Sequence, residues 1–364
     1  MKNKLVPLLY TLVIVLLLAN CVRETDFFQS NTDQGVLVVS GAFTEGSGPH
    51  VVRLTRPGDS NKQAFETVGG AQITLSDDAG NQFGYEEIFA PDGKTLDYRL
   101  NNIQGVPGRV YSIEIRLANG EVYRSRPEKM PLPVPLDSVQ VRGEFFVSND
   151  ANGAISSEPR AYACAYTTAP DPVAGRYVRW DADVVYIFNE LPKIYDPFGV
   201  QHQCFITNRI SDQNVSLADL SIYQPGAPVF EKVGKRKIDF AFESSICFSV
   251  YQHTITRDAF EYWQKINQLI SPTGTIFDKP LSRVYGNVDN VNDPGNPALG
   301  YFEVSTIDTA RVYTRNGLLG DDFLLQDFPH CNYDFGVWPP VNHIECHDCL
   351  TIPSSSLQKP DWWQ

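Results

Sequence analysis

The chain is short of methionine, of positive charge and, over its first half, of cysteine, and each shortage narrows what it can be. Two methionines in 364 residues leave no adaptable Met-rich groove of the kind promiscuous peptide binders use. Lys and Arg total 30 against 43 Asp and Glu, a formal net charge of −13, so nucleic acid and anionic lipid surfaces would repel it. The longest apolar stretch, Leu5 to Ala19, is fifteen residues where a spanning helix needs about twenty. Gly-x-Ser-x-Gly nucleophile elbows, His-Glu-x-x-His motifs and phosphate-cradling glycine loops are absent. What is plentiful is aromatic residue, at 12%, which points to a packed, β-rich protein.

Lys2 and Lys4 precede the apolar stretch, which ends at Leu18-Ala19-Asn20-Cys21. A basic start, a segment too short to span and a closing Leu-x-x-Cys form the layout of a bacterial lipoprotein signal. Residues 1–20 are expected to be removed and Cys21 to be lipidated as the mature N-terminus. Losing Lys2 and Lys4 takes the net charge from −13 to −15. Each buried acyl CH₂ contributes about 0.8 kcal/mol, so several chains on Cys21 would hold the protein to a bilayer permanently. Residues 21–35 read as a polar tether.

Beyond the tether the pattern is mainly β. Val36 to Gly41, His50 to Arg56 and Ala71 to Ser76 read as strands, and Asp77 to Asn81 as a turn. From Tyr111 to Leu117 the apolar residues fall at every second position, so one face packs inward. Asn119-Gly120 predicts a type I′ hairpin turn into Glu121 to Ser125. Short strands at this spacing predict a β-sandwich of immunoglobulin or transthyretin kind over 36–130. Four prolines, Pro127, Pro131, Pro133 and Pro135, mark a stiff connector, with 131–135 as the linker. A larger β-rich domain is expected over 136–364, with strands at Ser138 to Val147, Arg160 to Thr168, Arg176 to Phe188 and Arg236 to His253. One helix is predicted, Thr256 to Ile270, capped by Thr256, with Ala259, Trp263, Ile266 and Ile270 on its apolar face.

All cysteines other than Cys21 lie beyond the proline-rich linker: Cys164, Cys204, Cys247, Cys331, Cys346 and Cys349. An even number in an exported chain predicts disulfides, and six Cys allow fifteen pairings. The competing reading is zinc, because His330, Cys331, His343, Cys346, His347 and Cys349 crowd the C-terminus. Its ligands would come from His343, Cys346, His347 and Cys349. An oxidising compartment favours the disulfides, and no cofactor is expected.

The order of several motifs resembles domain of unknown function 4249, a family of Bacteroidota outer-membrane lipoproteins. They are Val38-Val39-Ser40-Gly41, Gly70 to Asp77, and Gly108-Arg109-Val110-Tyr111. Then come Ala259-Phe260-Glu261-Tyr262-Trp263, Ile276 to Pro280, Gly286-Asn287-Val288 and Leu299 to Ser305. Cys346-x-x-Cys349 before Lys359-Pro360-Asp361-Trp362-Trp363 also resembles the family's ending. The resemblance implies outer-membrane attachment, and Glu24 and Asp26 after Cys21 resemble a surface-export signal. Members are often encoded beside TonB-dependent outer-membrane receptors, which implies an accessory role, and the family transfers no catalytic residues.

Other candidates are weaker. Asn287, Asp289, Asn290, Asn292 and Asp293 put oxygens at near-alternate positions, but Val291 interrupts them and no Glu closes an EF-hand loop. Asp239, Glu243 and Glu261 are candidate carboxylates for glycoside cleavage. Trp180 and Trp263 fit core periodicity better than sugar stacking. Two function classes therefore stand: a non-enzymatic accessory or binding lipoprotein partnered with a TonB-dependent receptor, or an envelope hydrolase acting on glycans.

Overall fold

The computed structural model describes residues 35–58, 65–89, 96–149, 155–171, 175–191, 198–211, 214–270, 283–315, 317–323, 330–331 and 343–364. Cys21, the signal segment 1–20, nearly all of the tether, the Ile276 to Pro280 motif and Trp338 lie outside the described residues.

The protein is mainly β. Among the described residues ten strands precede the linker: β1 (Val38–Phe43), β2 (His50–Pro57), β3 (Phe65–Thr67), β4 (Gln72–Asp77), β5 (Gln82–Gly84), β6 (Glu86–Phe89), β7 (Leu96–Leu100), β8 (Val110–Arg116), β9 (Val122–Ser125) and β10 (Glu128–Lys129). After it come β11 (Leu136–Asn149), β12 (Ile155–Thr168), β13 (Tyr177–Asn189), β14 (Gln203–Arg209), β15 (Ser216–Asp219), β16 (Pro228–Lys237) and β17 (Ile246–Ile255). The helix α1 (Arg257–Ile270) follows, then β18 (Val288–Asn290), β19 (Leu299–Val304), β20 (Thr306–Thr314) and β21 (Ser355–Ser356).

Two six-stranded sheets form the sandwich, in the orders β19-β1-β2-β7-β6, with β3 on β2, and β18-β9-β8-β4-β5, with β10 on β8. The alternation expected in β8 is what buries Tyr111, Ile113 and Ile115, which meet Val39, Val52, Leu54 and Tyr98 of the facing sheet. The second unit packs a three-stranded sheet, β11-β12-β16, on a six-stranded one, β20-β17-β13-β14-β21, with β15 on β13. Small residues on β12, Ala161, Ala163 and Ala165, face the large Trp180, Tyr186, Phe188 and Phe248, so the two layers interlock. Full burial of each large apolar side chain there contributes roughly 1.5–3 kcal/mol.

The sandwich does not end at the linker. Parallel pairing of β19 with β1, from Val38↔Leu299 to Phe43↔Val304, and antiparallel pairing of β18 with β9 complete its two sheets from residues 288–304. The linear division at 131–135 therefore gives way to a sandwich closed by strands borrowed from the far side of the linker. Nor is the linker a free spacer: Thr254 Oγ1 accepts from Val134 N–H, Gln252 donates to Val134 O, and Thr167 donates to Pro135 O.

Local chemistry sets the remaining differences. The β8–β9 hairpin closes with Gly120 alone in the left-handed region, at φ 91°, and Leu117 N–H donating to Glu121 O. That is a three-residue loop ending in a glycine bulge rather than the expected type I′ turn, which would need Asn119 at positive φ as well. The single strand expected from Arg236 to His253 is split by a 3₁₀ turn at Phe240–Phe242, because Asp239 accepts from Ala241 N–H and caps it. In α1, Thr256 caps as expected by accepting from Ala259 N–H, but Tyr262 is buried with Ala259 while Ile270 is exposed.

Four cysteines are joined, Cys204 to Cys349 and Cys331 to Cys346. The expectation that Cys164 and Cys247 also pair is corrected: both are buried free thiols. Cys164 lies in β12, whereas Cys247 lies in β17 beneath Trp363, in a different sheet. Burial pushes both thiols up, so neither carries the thiolate that exchange requires.

Non-reducing peptide mapping should recover the two named linkages, with Cys164 and Cys247 alkylated only after unfolding. Glycine substitutions should separate two causes of strain. A Cβ on Gly300, at φ 84°, would lie 2.0 Å from Val39 O, whereas one on Gly120 would meet open space. Gly300→Ala should cost at least about 3 kcal/mol in urea unfolding and Gly120→Ala about 1 kcal/mol.

Candidate functional site

Strand alternation assembles a charged seam between the two units. Even-numbered residues of β13, from Val178 to Phe188, enter the second core, so Arg179 and Asp181 point the other way, toward the sandwich. His253 of β17 sits directly across from Arg179 in register. Glu303 comes from β19 and Trp263 from α1. Arg179 Nε and Nη2 donate to the two Glu303 oxygens at 3.2 and 3.1 Å, and its Nη1 pairs with Asp181. Trp263 Nε1 and Ser305 Oγ donate to the same Glu303 carboxylate at 2.8 and 3.1 Å. The indole also lies against the guanidinium, 5.3 Å from ring centroid to Cζ. His253 Nε2 is 3.5 Å from Asp181, and its Nδ1 is 3.8 Å from Glu303.

A cavity of about 400 Å³ opens beside this network. Arg179, Asp181, Glu303 and Trp263 lie along it with Arg53 and Arg209, whose side chains are more than half exposed and pair with Asp97 and Asp181. Burial raises the Asp181 carboxyl, but His253, Arg179 and Arg209 outweigh it and hold the group far below its ordinary value. Glu303 follows the same balance, its burial overcome chiefly by Arg179 and His253. Both carboxylates in the cavity thus stay ionised at neutral pH, and a glycosidase acid must keep a proton there.

A second buried cluster adjoins the first. Glu128 of β10 accepts from Tyr301 Oη, from Asn287 Nδ2 at 3.2 Å and from Thr256 Oγ1 at 3.3 Å. Burial, opposed by the Tyr301 hydrogen bond and reinforced by the nearby Glu303 charge, pushes this carboxyl up to about 7. Asn287 acts as a strut, exchanging hydrogen bonds with both Phe302 O and Phe302 N–H while Arg126 N–H donates to its carbonyl.

The sites expected from sequence disperse. Cys346 and Cys349 belong to separate disulfides, which removes both thiolates from the expected zinc set. His343 lies close to Glu345, while His347 ends the 3₁₀ turn at Ile344–Cys346. Asn290 accepts from Asn292 and Asp293 N–H groups, Asp293 from Gly295 N–H and Asn296, and Asn292 from Val122 N–H. Those oxygens brace their own loop and tie it to β9. Asp239 caps its turn, Glu243 accepts from His330 N–H, and Glu261 pairs with Arg257 on the exposed side of α1. Trp180 is buried and donates to Gln252, and Trp363 packs on Phe205 and Tyr313.

A family model described as Domain of unknown function (DUF4249) matches residues 24–311. The chain belongs to this family. No curated protein matches it. In this DUF4249 protein the stretches Gly286-Asn287-Val288 and Leu299 to Ser305 build the seam, supplying Asn287, Tyr301, Glu303 and Ser305. The match stops before the disulfide-bonded ending with Cys346 and Cys349.

Stability should report the two clusters with opposite signs. Glu128 is raised from an ordinary 4.5 to about 7, so its contribution is full below pH 4.5 and is lost as pH rises through about 7, a change of the order of 3 kcal/mol. Asp181 and Glu303, both lowered, contribute above their ordinary values and lose that contribution on acidification. Urea midpoints of wild type and Glu128→Gln between pH 4.5 and 8 test this: the variant should lack the decline. Arg179→Met, which leaves the buried Glu303 without its guanidinium, should cost about 3 kcal/mol at pH 7.

Proposed function

We propose that this protein is a non-enzymatic lipoprotein, anchored through Cys21 to the outer membrane, that serves as an accessory or binding partner of a TonB-dependent receptor. The observation that carries the reading is an apolar face at the far end of the β11–β12 hairpin. Phe145, Val147 and Ile155 share that face and are exposed by 50%, 61% and 75%. A cluster of exposed apolar residues on a long, well-paired hairpin suits contact with another protein. The clamped, ionised Asp181 and Glu303 at the cavity support recognition or architecture over hydrolysis there.

Metabolic labelling with a clickable fatty acid should mark the wild type and not Cys21→Ser. Tagged full-length protein, extracted gently from native membranes, should bring a TonB-dependent barrel with it. The double variant Val147→Ser/Ile155→Ser should recover several-fold less barrel at an unchanged melting temperature. Recovery of the wild type without a barrel, or turnover of a glycan panel by the purified protein, would defeat the reading.

A further inference from the structure

Loss of the thiolates to disulfides does not empty the C-terminal region of metal-binding groups. It leaves imidazoles and brings in a carboxylate that the sequence pattern does not single out. His330 Nε2 lies 2.9 Å from Glu345 Oε1, and His343 Nδ1 lies 3.3 Å from the same oxygen. One donor atom from each of the three residues falls within 4.8 Å of the other two. Zinc binds imidazole nitrogen and carboxylate oxygen at about 2.0–2.2 Å, which sets the edges of a tetrahedral ligand set at about 3.3–3.5 Å. The His343 separation equals that edge, and the His330 separation, now a hydrogen bond, would lengthen by about 0.4 Å to admit the ion.

The cluster is also held in place before any ion arrives. The His330 ring stacks on Phe240 with centroids 4.1 Å apart, and its backbone N–H donates to Glu243 at 2.6 Å. Cys331 follows His330 and Cys346 follows Glu345, so their disulfide ties two of the three donors together across the fold. The His330 and His343 rings lie 4.4 Å apart. A cavity of about 200 Å³, lined in part by His330, Phe240, Glu243 and Leu191, adjoins the cluster.

We propose that His330, His343 and Glu345 form a three-ligand site for a divalent transition-metal ion of the zinc class, with a fourth coordination position left open. Two imidazoles and one carboxylate suit zinc and its neighbours, whereas calcium and magnesium favour sites made wholly of oxygen. The adjoining cavity gives a water molecule or an anionic group access to the open position. The site is independent of the receptor contact assigned to the β11–β12 hairpin. It needs the Cys331–Cys346 bond intact, which separates it from thiolate zinc centres that fail on oxidation.

Full-length protein, stripped with a chelator and kept free of reductant, should be titrated with Zn²⁺ alone by calorimetry. One equivalent should bind with micromolar or tighter affinity. His343→Ala and Glu345→Gln should each weaken that binding at least tenfold, and His347→Ala should leave it unchanged. The His343 side chain is 37% exposed, so its removal should leave the melting temperature of the metal-free protein in place. Co²⁺ in the same site should give the visible bands of tetrahedral coordination, lost in His330→Asn. Absence of saturable binding, or Zn²⁺ affinity undiminished in the His343→Ala/Glu345→Gln double variant, would overturn the site.

Discussion

A guanidinium buried at the junction of two β units is tolerable only if carboxylates meet it there, and Arg179 is met from both sides. Asp181 belongs to its own strand, whereas Glu303 comes from the strand that completes the sandwich. Replacing a buried pair of this kind by apolar residues often leaves stability unchanged, so the pair is a poor source of net stability. Its effect is on geometry. Apolar surfaces slide over one another at small cost, but a bidentate grip on Glu303, with Trp263 and Ser305 donating to the same carboxylate, is satisfied in one relative placement. The cavity and the Glu128 cluster lie at that same junction.

The covalent path through the seam reinforces it. Residues 299–314 run as β19 and then β20, interrupted at the fully buried Ser305, so one stretch of chain ends the first sheet and begins another. Ser305 N–H donates to Phe43 O, and Glu45 accepts from Ile307 N–H with both oxygens. The sandwich thus touches β20 beyond its own last strand. Positions along this stretch have little latitude. Gly286 and Gly300 lie so close that a Cβ on the first would sit 1.6 Å from the carbonyl oxygen of the second.

Legibility in the sequence followed the range of the physics involved. Period-two burial from Tyr111 to Leu117 and the capping of α1 by Thr256 depend on neighbours within a few residues, and both appear in the structure. The Asn119-Gly120 pair announced a hairpin, but which residue takes positive φ depends on strand register, and that is not a local quantity. Parallel pairing of Val38 with Leu299 leaves no local trace. Arg179 and Asp181 flank Trp180 in a run otherwise suited to burial, and that pair of charges was the available sign of an inward polar face. The pairing of Cys204 with Cys349 joins residues 145 apart, a relation no spacing rule reaches. His330 stood out with its neighbouring cysteines, but Glu345 did not, because a lone Glu among them fits no thiolate zinc pattern.

Borrowing β18 and β19 has a consequence for the order in which the chain becomes protein. Synthesis from the N-terminus produces β1 to β10 long before residues 288–304. Until then β1 and β9 each present an unpaired edge of backbone donors and acceptors, the kind of edge that pairs with other chains. The sandwich is therefore unfinished until residues 288–304 are made, and its folding is slow in the way non-local pairings are slow. A chain cut anywhere before β19 would be an open sheet, more prone to join its neighbours than to stand alone.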